Sequence, residues 1–503
     1  MEKSELSSLW MLAAAALAAV LLYLSTLRRR YVGGKPLPPG PMPLPLIGNL
    51  HCLGGTFHHT LAKLARAHGP VMTLRLGLPT AVIISSRDAA AEAYTKYDQR
   101  LAARPVPDAF RANHFSDRSM TFTPSSDPQW KSQRSIFATN IFSPRGLAEL
   151  RAIRERKVRE LVGYIRARAG EEMHVREVVH NGVLNLMSSS FFSVDMADVG
   201  SASAHGLRQL IEDIVAKVSS PNVSDFVPIL GRLDLQGLRR KTGKLLDNAF
   251  GILDDIIEHR LDESRDNPAG KHGDFLDALL KLLSDGKIPR FYVTHMLFDV
   301  FVAGADTMTT TIEWAMAELI HNPRVMAKVQ AEMKDVLGSK ETIDEADVAR
   351  LTYLHCVFKE AMRLHPVGCI LVPHLAVQDG VEIGGYAIPK GTTVIFNAWA
   401  IMRDPTAWEE PDKFVPERFL QKSSPLDLRG KEAEFIPFGS GRRLCPGLSL
   451  ADRVVPLILA SLLHAFEWRL PDGMSAEKMD MTERFTTINV LATSLKAVPV
   501  VKH

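Results

Sequence analysis

The stretch FGSGRRLCPG, Phe438 to Gly447, holds one of the four cysteines in a chain of 503 residues. Three glycines crowd around Cys445. Glycine tolerates positive φ and lets backbone approach a neighbour closely, so this loop can wind around the sulfur and aim amide N–H groups at it. Such donors stabilise a thiolate. Arg443 adds a fixed cation shaped for a carboxylate. A disulfide, a zinc ligand, a nucleophile and a haem ligand are all chemically open at this position. Cys52, Cys356 and Cys369 share no CxxC spacing, which argues against a sequence-local zinc site. Four cysteines are also too few for a disulfide scaffold in so long a chain. A thiolate beside a large flat ligand bearing carboxylates describes haem held by cysteine.

Composition sets the bounds. Hydrophobic residues make up 46% and charged residues 23%, an ordinary globular balance. The 60 basic and 57 acidic residues leave a net charge of +3, so no basic surplus points to nucleic acid. Residues Leu9–Leu27 carry no charge and, at about 1.5 Å per residue, nearly match the ~30 Å hydrocarbon layer. Arg28, Arg29 and Arg30 follow at once, which places residues 1–8 on the lumenal side and the body in the cytosol. A cleaved signal peptide is the competing reading, but its basic residues would precede a shorter apolar core. Residues 28–50 then read as a basic, proline-rich hinge, with six prolines between Lys35 and Leu50. The sequon at Asn222 is expected to stay unmodified in a cytosolic body.

Within the body, 51–503, Val71–Leu76 and Ala81–Ile84 read as a hairpin. From Arg87 to about Arg363 the apolar spacing is dominantly helical. Val377–Phe396 switches to short strands, a helix follows the Cys445 loop to about Phe466, and the tail reads as strand. The expected architecture is mainly α with small peripheral β-sheets in one large domain.

One helical stretch, from about Pro289 to His321, contains FVAGADTMTTTIEW. Gly304 costs about 1 kcal/mol there relative to alanine, so it needs a reason. Ala303 and Gly304 would let a ligand approach, and Thr307 could bond back to a carbonyl and open the helix. Asp306 and Thr307 would then offer an acid and a hydroxyl for moving protons.

Phe438, Gly441, Arg443, Cys445 and Gly447 match the FxxGxRxCxG signature of the cytochrome P450 family. The chain resembles that family along its length. Glu360-Ala-Met-Arg363 is similar to its ExxR motif and Pro416–Phe419 to its PERF motif, which implies a structural network of Glu360, Arg363 and Arg418. Trp130 and Arg134 resemble its WxxxR pair, and His374 stands where relatives carry Arg or His. The resemblance implies that Trp130, Arg134, His374, Arg443 and Phe438 hold haem b (iron protoporphyrin IX) and that Cys445 is its axial ligand. It also implies that Asp306 and Thr307 are catalytic; Met308 departs from the family's final hydroxyl residue at that motif. The implied reaction is monooxygenation with O₂ and electrons from NADPH, delivered by NADPH–cytochrome P450 reductase at the endoplasmic reticulum membrane, with no obligate oligomer.

In finer detail the chain looks like plant microsomal enzymes of family seventy-six, the grass subfamily acting on labdane-related diterpenes in phytoalexin biosynthesis. Regions lining the pocket in relatives correspond here to Phe110, His114, Phe115, Phe298, Phe301, Val302, Val367, Ile370, Phe485, Thr486, Thr487 and Ile488. A largely apolar pocket suits a polycyclic hydrocarbon or its mono-alcohol. It suits a monoterpenol, a fatty acid or a flavonoid precursor equally well. A haem-thiolate isomerase or dehydratase is a further alternative, disfavoured by the Asp306-Thr307 pair.

Overall fold

Where the chain turns between elements, short polar residues stop and start the helices. In the computed structural model, which describes residues 31–196, 202–266, 272–421 and 426–502, the elements that position the site are as follows. Helix α1 (Phe57–His68) ends at Gly69, φ 101°, and leads into strands β1 (Val71–Arg75) and β2 (Thr80–Ile84). Helix α2 (Pro128–Ile136) starts where Asp127 accepts from Gln129 N at 2.8 Å and Pro128 supplies the first helical φ. Helices α3 (Val175–Phe192), α4 (Leu238–Asp266), α5 (Arg290–His321) and α6 (Thr352–Leu364) follow. Then come β3 (His374–Leu375), β4 (Thr393–Phe396), α7 (Leu448–Ala465), β5 (Glu483–Phe485) and β6 (Asn489–Leu491). The membrane segment expected at 9–27, the lumenal residues 1–8 and Arg28–Arg30 lie outside the described residues.

The described chain is mostly helix with small sheets, as the apolar spacing implied. The largest sheet has four strands in the order β1-β2-β4-β3. β1 and β2 form the expected hairpin, while β2 and β4 run parallel with Val82 opposite Val394. The proline-rich segment lies along the free edge of β1: Thr73 N donates to Pro39 O at 2.7 Å and Asn49 N to Arg75 O at 2.6 Å. Proline cannot extend the ladder, so this segment blunts the edge. β5 and β6 make a separate hairpin near the end of the chain.

Helix α5 is the axis of the core. From Met308 to Ile320 every residue is buried, and α3, α4, α6 and α7 all pack against it. α7 is the one described helix long and apolar enough to cross a bilayer, yet it lies in the core, with Val454, Ile458 and Leu462 fully enclosed.

Two expectations about backbone are corrected. The helical run after Arg87 breaks at Asp108–His114, a 3₁₀ segment in which Asn113 and His114 adopt φ of 51° and 56°. Helix α5 is not opened at Thr307; it runs unbroken from Arg290 to His321. Gly304 has a packing reason instead. A Cβ there would stand 2.2 Å from Met187 Cε on α3, so the glycine lets the two helices close.

Candidate active site

The Cys445 loop is wound as its glycines suggested. Gly441 has φ 64°, and a Cβ on it would meet Asp98 Oδ1 at 2.2 Å. That carboxylate accepts from Arg442 N at 3.0 Å, so glycine is required both for the turn and for the approach of Asp98. Cys445 N donates to Phe438 O at 3.1 Å and closes the loop. Burial pushes the Cys445 thiol up, against the opposing pull of the Gly447 and Leu448 backbone N–H groups and the Arg134 cation. Those amides face the sulfur, which is what a thiolate ligand uses.

Around this loop the structure gathers Trp130, Arg134, His374 and Arg443. Arg134 Nη1 donates to Leu444 O at 2.9 Å. Two guanidinium groups approach the Trp130 ring, Arg134 Cζ at 5.8 Å and Arg443 Cζ at 5.0 Å from its centroid. Arg443 donates to Ala102 O, Met120 O and Thr123 O at 2.6, 3.1 and 2.6 Å. His374 is buried with Nδ1 2.9 Å from Leu101 O. Arg104 belongs to the same cluster, donating to the Val372 and Pro373 carbonyls. No acidic side chain pairs with Arg104, Arg134 or Arg443 among the described residues.

Electrostatics show what this gathering of cations wants. Burial, reinforced by Arg104 and Arg134, pushes Arg443 down to about 9. Burial pushes Arg104 down to about 10. His374 is held well below its usual value by burial and then by Arg104, so it is a neutral imidazole. Trp130 Nε1 is buried without a hydrogen-bond partner, and so is Arg104 Nε. Crowded cations and orphaned donors are expensive unless anions meet them. A flat ligand with two carboxylates, placed on Cys445, meets that demand.

Beneath the loop, Glu360, Arg363 and Arg418 form one network. Glu360 receives Arg363 Nε and Nη2 at 2.7 and 2.9 Å and Arg418 Nε at 3.0 Å. Arg363 also donates to Pro411 O at 2.7 Å and Lys413 O at 3.1 Å. Glu360 and Arg363 are fully buried, and Trp408 lies against both guanidinium groups. The network ties α6 to the loop before PERF.

On α5, Thr307 Oγ1 donates to Ala303 O at 2.8 Å. Its proton is therefore occupied, and its lone pairs face outward as acceptors. Asp306 lies 3.6 Å from Arg176 and 3.5 Å from His180, both on α3. Arg176 continues to Thr310 Oγ1 at 2.9 Å and Glu313 at 3.3 Å, so Asp306 ends a chain of polar groups. Met308 is buried on the side of Gly304, in the core.

The aromatic residues divide. Phe110, Phe115 and Phe298 do meet: Phe115 is 5.4 Å from Phe110 and 5.6 Å from Phe298. Phe122 and Phe250 complete that wall. Three expected pocket residues do not join it. His114 points into solvent and pairs with Asp117, because its left-handed backbone turns the side chain outward. Phe301 packs 5.5 Å from Phe192, between α5 and α3. Phe485 stacks on Phe57 of α1 at 6.0 Å, since it shares a strand face with Glu483. The turn Thr486–Ile488 follows it, and Asn489 N donates to Val367 O at 2.9 Å, fixing the hairpin beside the segment with Val367 and Ile370. Val302 is partly buried on α5.

Sequence reasoning missed Arg104, Phe250, Phe122, Arg176 and His180. Arg176 and His180 stand one helical turn apart, a spacing visible in the sequence. Arg104, a lone cation in an apolar LAARP run, was the other available signal.

A half-buried cysteine facing amide donors, a cationic frame for two carboxylates and a helix bearing an acid and a hydroxyl together define a haem-thiolate oxygenase. The chain belongs to the cytochrome P450 family: residues 38–495 match that family. It is 73% identical over 511 residues to oryzalexin E synthase of Oryza sativa subsp. japonica, covering 100% of both chains. It is 64% identical to ent-cassadiene C11-alpha-hydroxylase 1 of the same organism, covering 99% of both. Geraniol 8-hydroxylase of Catharanthus roseus is 42% identical, with 92% of this chain and 94% of that one covered. Among solved structures, a zebra fish cytochrome P450 with progesterone superposes with a TM-score of 0.74 at 27% identity, covering 88% of this chain and 99% of that one. The protein is a cytochrome P450 monooxygenase and its cofactor is haem.

Proposed function

We propose that the protein hydroxylates a labdane-related diterpene, or its mono-alcohol, on the cytosolic face of the endoplasmic reticulum, in phytoalexin biosynthesis. Residues 9–27 anchor it in the membrane, 28–50 form the hinge, and NADPH–cytochrome P450 reductase supplies electrons. The observation that carries the substrate class is the aromatic wall of Phe110, Phe115, Phe250 and Phe298, which offers ring faces and no converging charge. The relatives named for oryzalexin and cassadiene chemistry support the same class.

Cys445 would hold the iron, while Arg104, Arg134, Trp130, His374 and Arg443 would hold the two carboxylates. Bound haem supplies oxygen activation and insertion into carbon–hydrogen bonds. The chain's own residues prepare that chemistry. The Gly447 and Leu448 amides moderate the charge on the sulfur. Thr307, its proton given to Ala303 O, accepts from a water and holds it in place. Asp306, the neighbouring residue, is held by Arg176 and His180 on α3 and is the acid that would resupply protons to the site. The phenylalanine wall orients the substrate and excludes bulk water.

The test is co-expression with a plant reductase and a panel of labdane-related diterpene olefins, geraniol and lauric acid, with products read by mass spectrometry. Oxidation of one or more diterpenes in preference to the others is the expected result. Turnover of geraniol or the fatty acid with every diterpene untouched would overturn the substrate assignment.

A further inference from the structure

Where α1 meets β5, a cluster of imidazoles surrounds one carboxylate away from the haem frame. His58 Nε2 and His59 Nε2 converge on the same oxygen, Glu483 Oε2, at 2.8 and 2.9 Å. The three ligand atoms lie within 4.8 Å of one another. A tetrahedral ion with ~2.0 Å bonds separates its ligands by about 3.3 Å, and the two histidine–carboxylate spacings are within about 0.5 Å of that. Two imidazoles and a carboxylate with one open position is a ligand set that zinc accepts.

His58 and Glu483 also have outer partners. His58 Nδ1 is 3.2 Å from Cys369 Sγ. Glu483 Oε1 is 3.0 Å from His365 Nδ1, and His365 Nε2 is 2.7 Å from Glu318 Oε1. Trp314 stacks flat on His365 at 3.8 Å. Outer partners of this kind fix the ring orientation and basicity of metal ligands. The Glu483 carboxylate thus faces three imidazoles, His58 and His59 on one oxygen and His365 on the other. Arg403, 3.9 Å from Oε1, stands on the opposite oxygen. A cleft of ≈ 690 Å³ bordered by His59, His365 and Glu483 gives an entry path.

We propose that His58, His59 and Glu483 form a binding site for a divalent transition-metal ion of the zinc class, with water from the cleft as fourth ligand. The ion would staple α1 to the β5–β6 hairpin, whose turn carries Thr486–Ile488. Its role there is structural. Nothing in it touches the Cys445 chemistry.

The experiment uses tag-free, full-length holoenzyme stripped with a chelator and titrated with Zn²⁺ against a chromophoric zinc indicator. One tight equivalent is expected, with a raised midpoint of thermal haem release. His59 is half-exposed, so H59A should keep the haem spectrum yet bind that equivalent ~10–100-fold more weakly and lose the thermal gain. H259A, at an exposed histidine elsewhere, should bind zinc like the wild type. Absence of a tight equivalent, or equal zinc binding by the wild type and H59A, would overturn the site.

Discussion

The Cys445 side of the molecule and the phenylalanine wall proposed to meet the substrate are held in opposite ways. Around Cys445, polar groups converge on fixed partners: Arg134 on Leu444 O, Arg443 on three carbonyls, and Arg363 on Glu360 and two carbonyls of the loop before PERF. On the substrate side, Phe110, Phe115, Phe250 and Phe298 touch through ring faces and edges alone. Hydrogen bonds are directional, so a change at the first region should break the site outright. Apolar packing tolerates exchange of shape at similar volume, so a change at the second should redirect the substrate and spare the haem. On the proposed reading, the difference separates what makes the protein an oxygenase from what would make it selective.

The largest expected effect falls on the clamp beneath the loop. Arg363→Ala leaves Glu360 buried with one cation fewer, and breaking a buried pair costs about 3–5 kcal/mol. That is a large share of a typical folding stability of about 5–15 kcal/mol. The expected outcome is protein with little or no bound haem, measured as haem per polypeptide after purification. Full haem content would mean that the clamp and the Cys445 loop are independent.

Thr307→Ala should spare haem and substrate binding while diverting electrons to hydrogen peroxide. Losing a group that places a proton donor commonly costs about 10²–10⁴-fold in the assisted step. Thr307 acts here as an acceptor for water, so the low end is expected. Product formed per NADPH consumed is the measure, and an unchanged ratio would make Thr307 a helix-packing residue.

Phe298→Leu sharpens the contrast from the other side. The haem spectrum should stay intact while the ratio of oxidation products shifts by about tenfold, the low end of what lost methylene contacts in an apolar pocket cost. Loss of haem in this variant would erase the division between the two regions.

A smaller effect tests the seam between them. Asp299 on α5 accepts from Ser119 Oγ at 2.8 Å and Met120 N at 2.8 Å, and Met120 O in turn accepts from Arg443. Burial pushes its carboxyl from 3.8 up to about 7, against those hydrogen bonds. The folded protein thus holds the proton more tightly than the unfolded chain. Its contribution to stability is full below pH 3.8 and is lost as pH rises through about 7. Asp299→Asn keeps the acceptor and removes the titration. The difference in thermal midpoint between variant and wild type should grow in the variant's favour from pH 5 to pH 8, and a flat difference would contradict this.

How much of this was legible beforehand follows from the same physics. The Cys445 loop, Glu360-Arg363 and the Trp130-Arg134 pair were legible because their geometry is local: a turn, or one helical turn. Their distant partners were not. Asp98 is the reason for Gly441, and Met187 the reason for Gly304, yet neither is near in sequence. The substrate side was legible only in kind. Helix α5 is buried nearly all round, so apolar spacing cannot tell Phe298, which faces the wall, from Phe301, which faces α3. His114 was misplaced because nothing in its neighbours signals a left-handed backbone. Residues 31–50 read as a hinge, and their bonds to β1 join strands that no pattern within the segment announces.

The reduced carbon monoxide spectrum of Cys445→Ser, beside that of the wild type, tests the central claim most directly. A hydroxyl cannot supply the electron-donating sulfur, so the band at about 450 nm seen in the wild type should vanish. A band retained at that wavelength in the variant would remove Cys445 as the ligand and contradict the account.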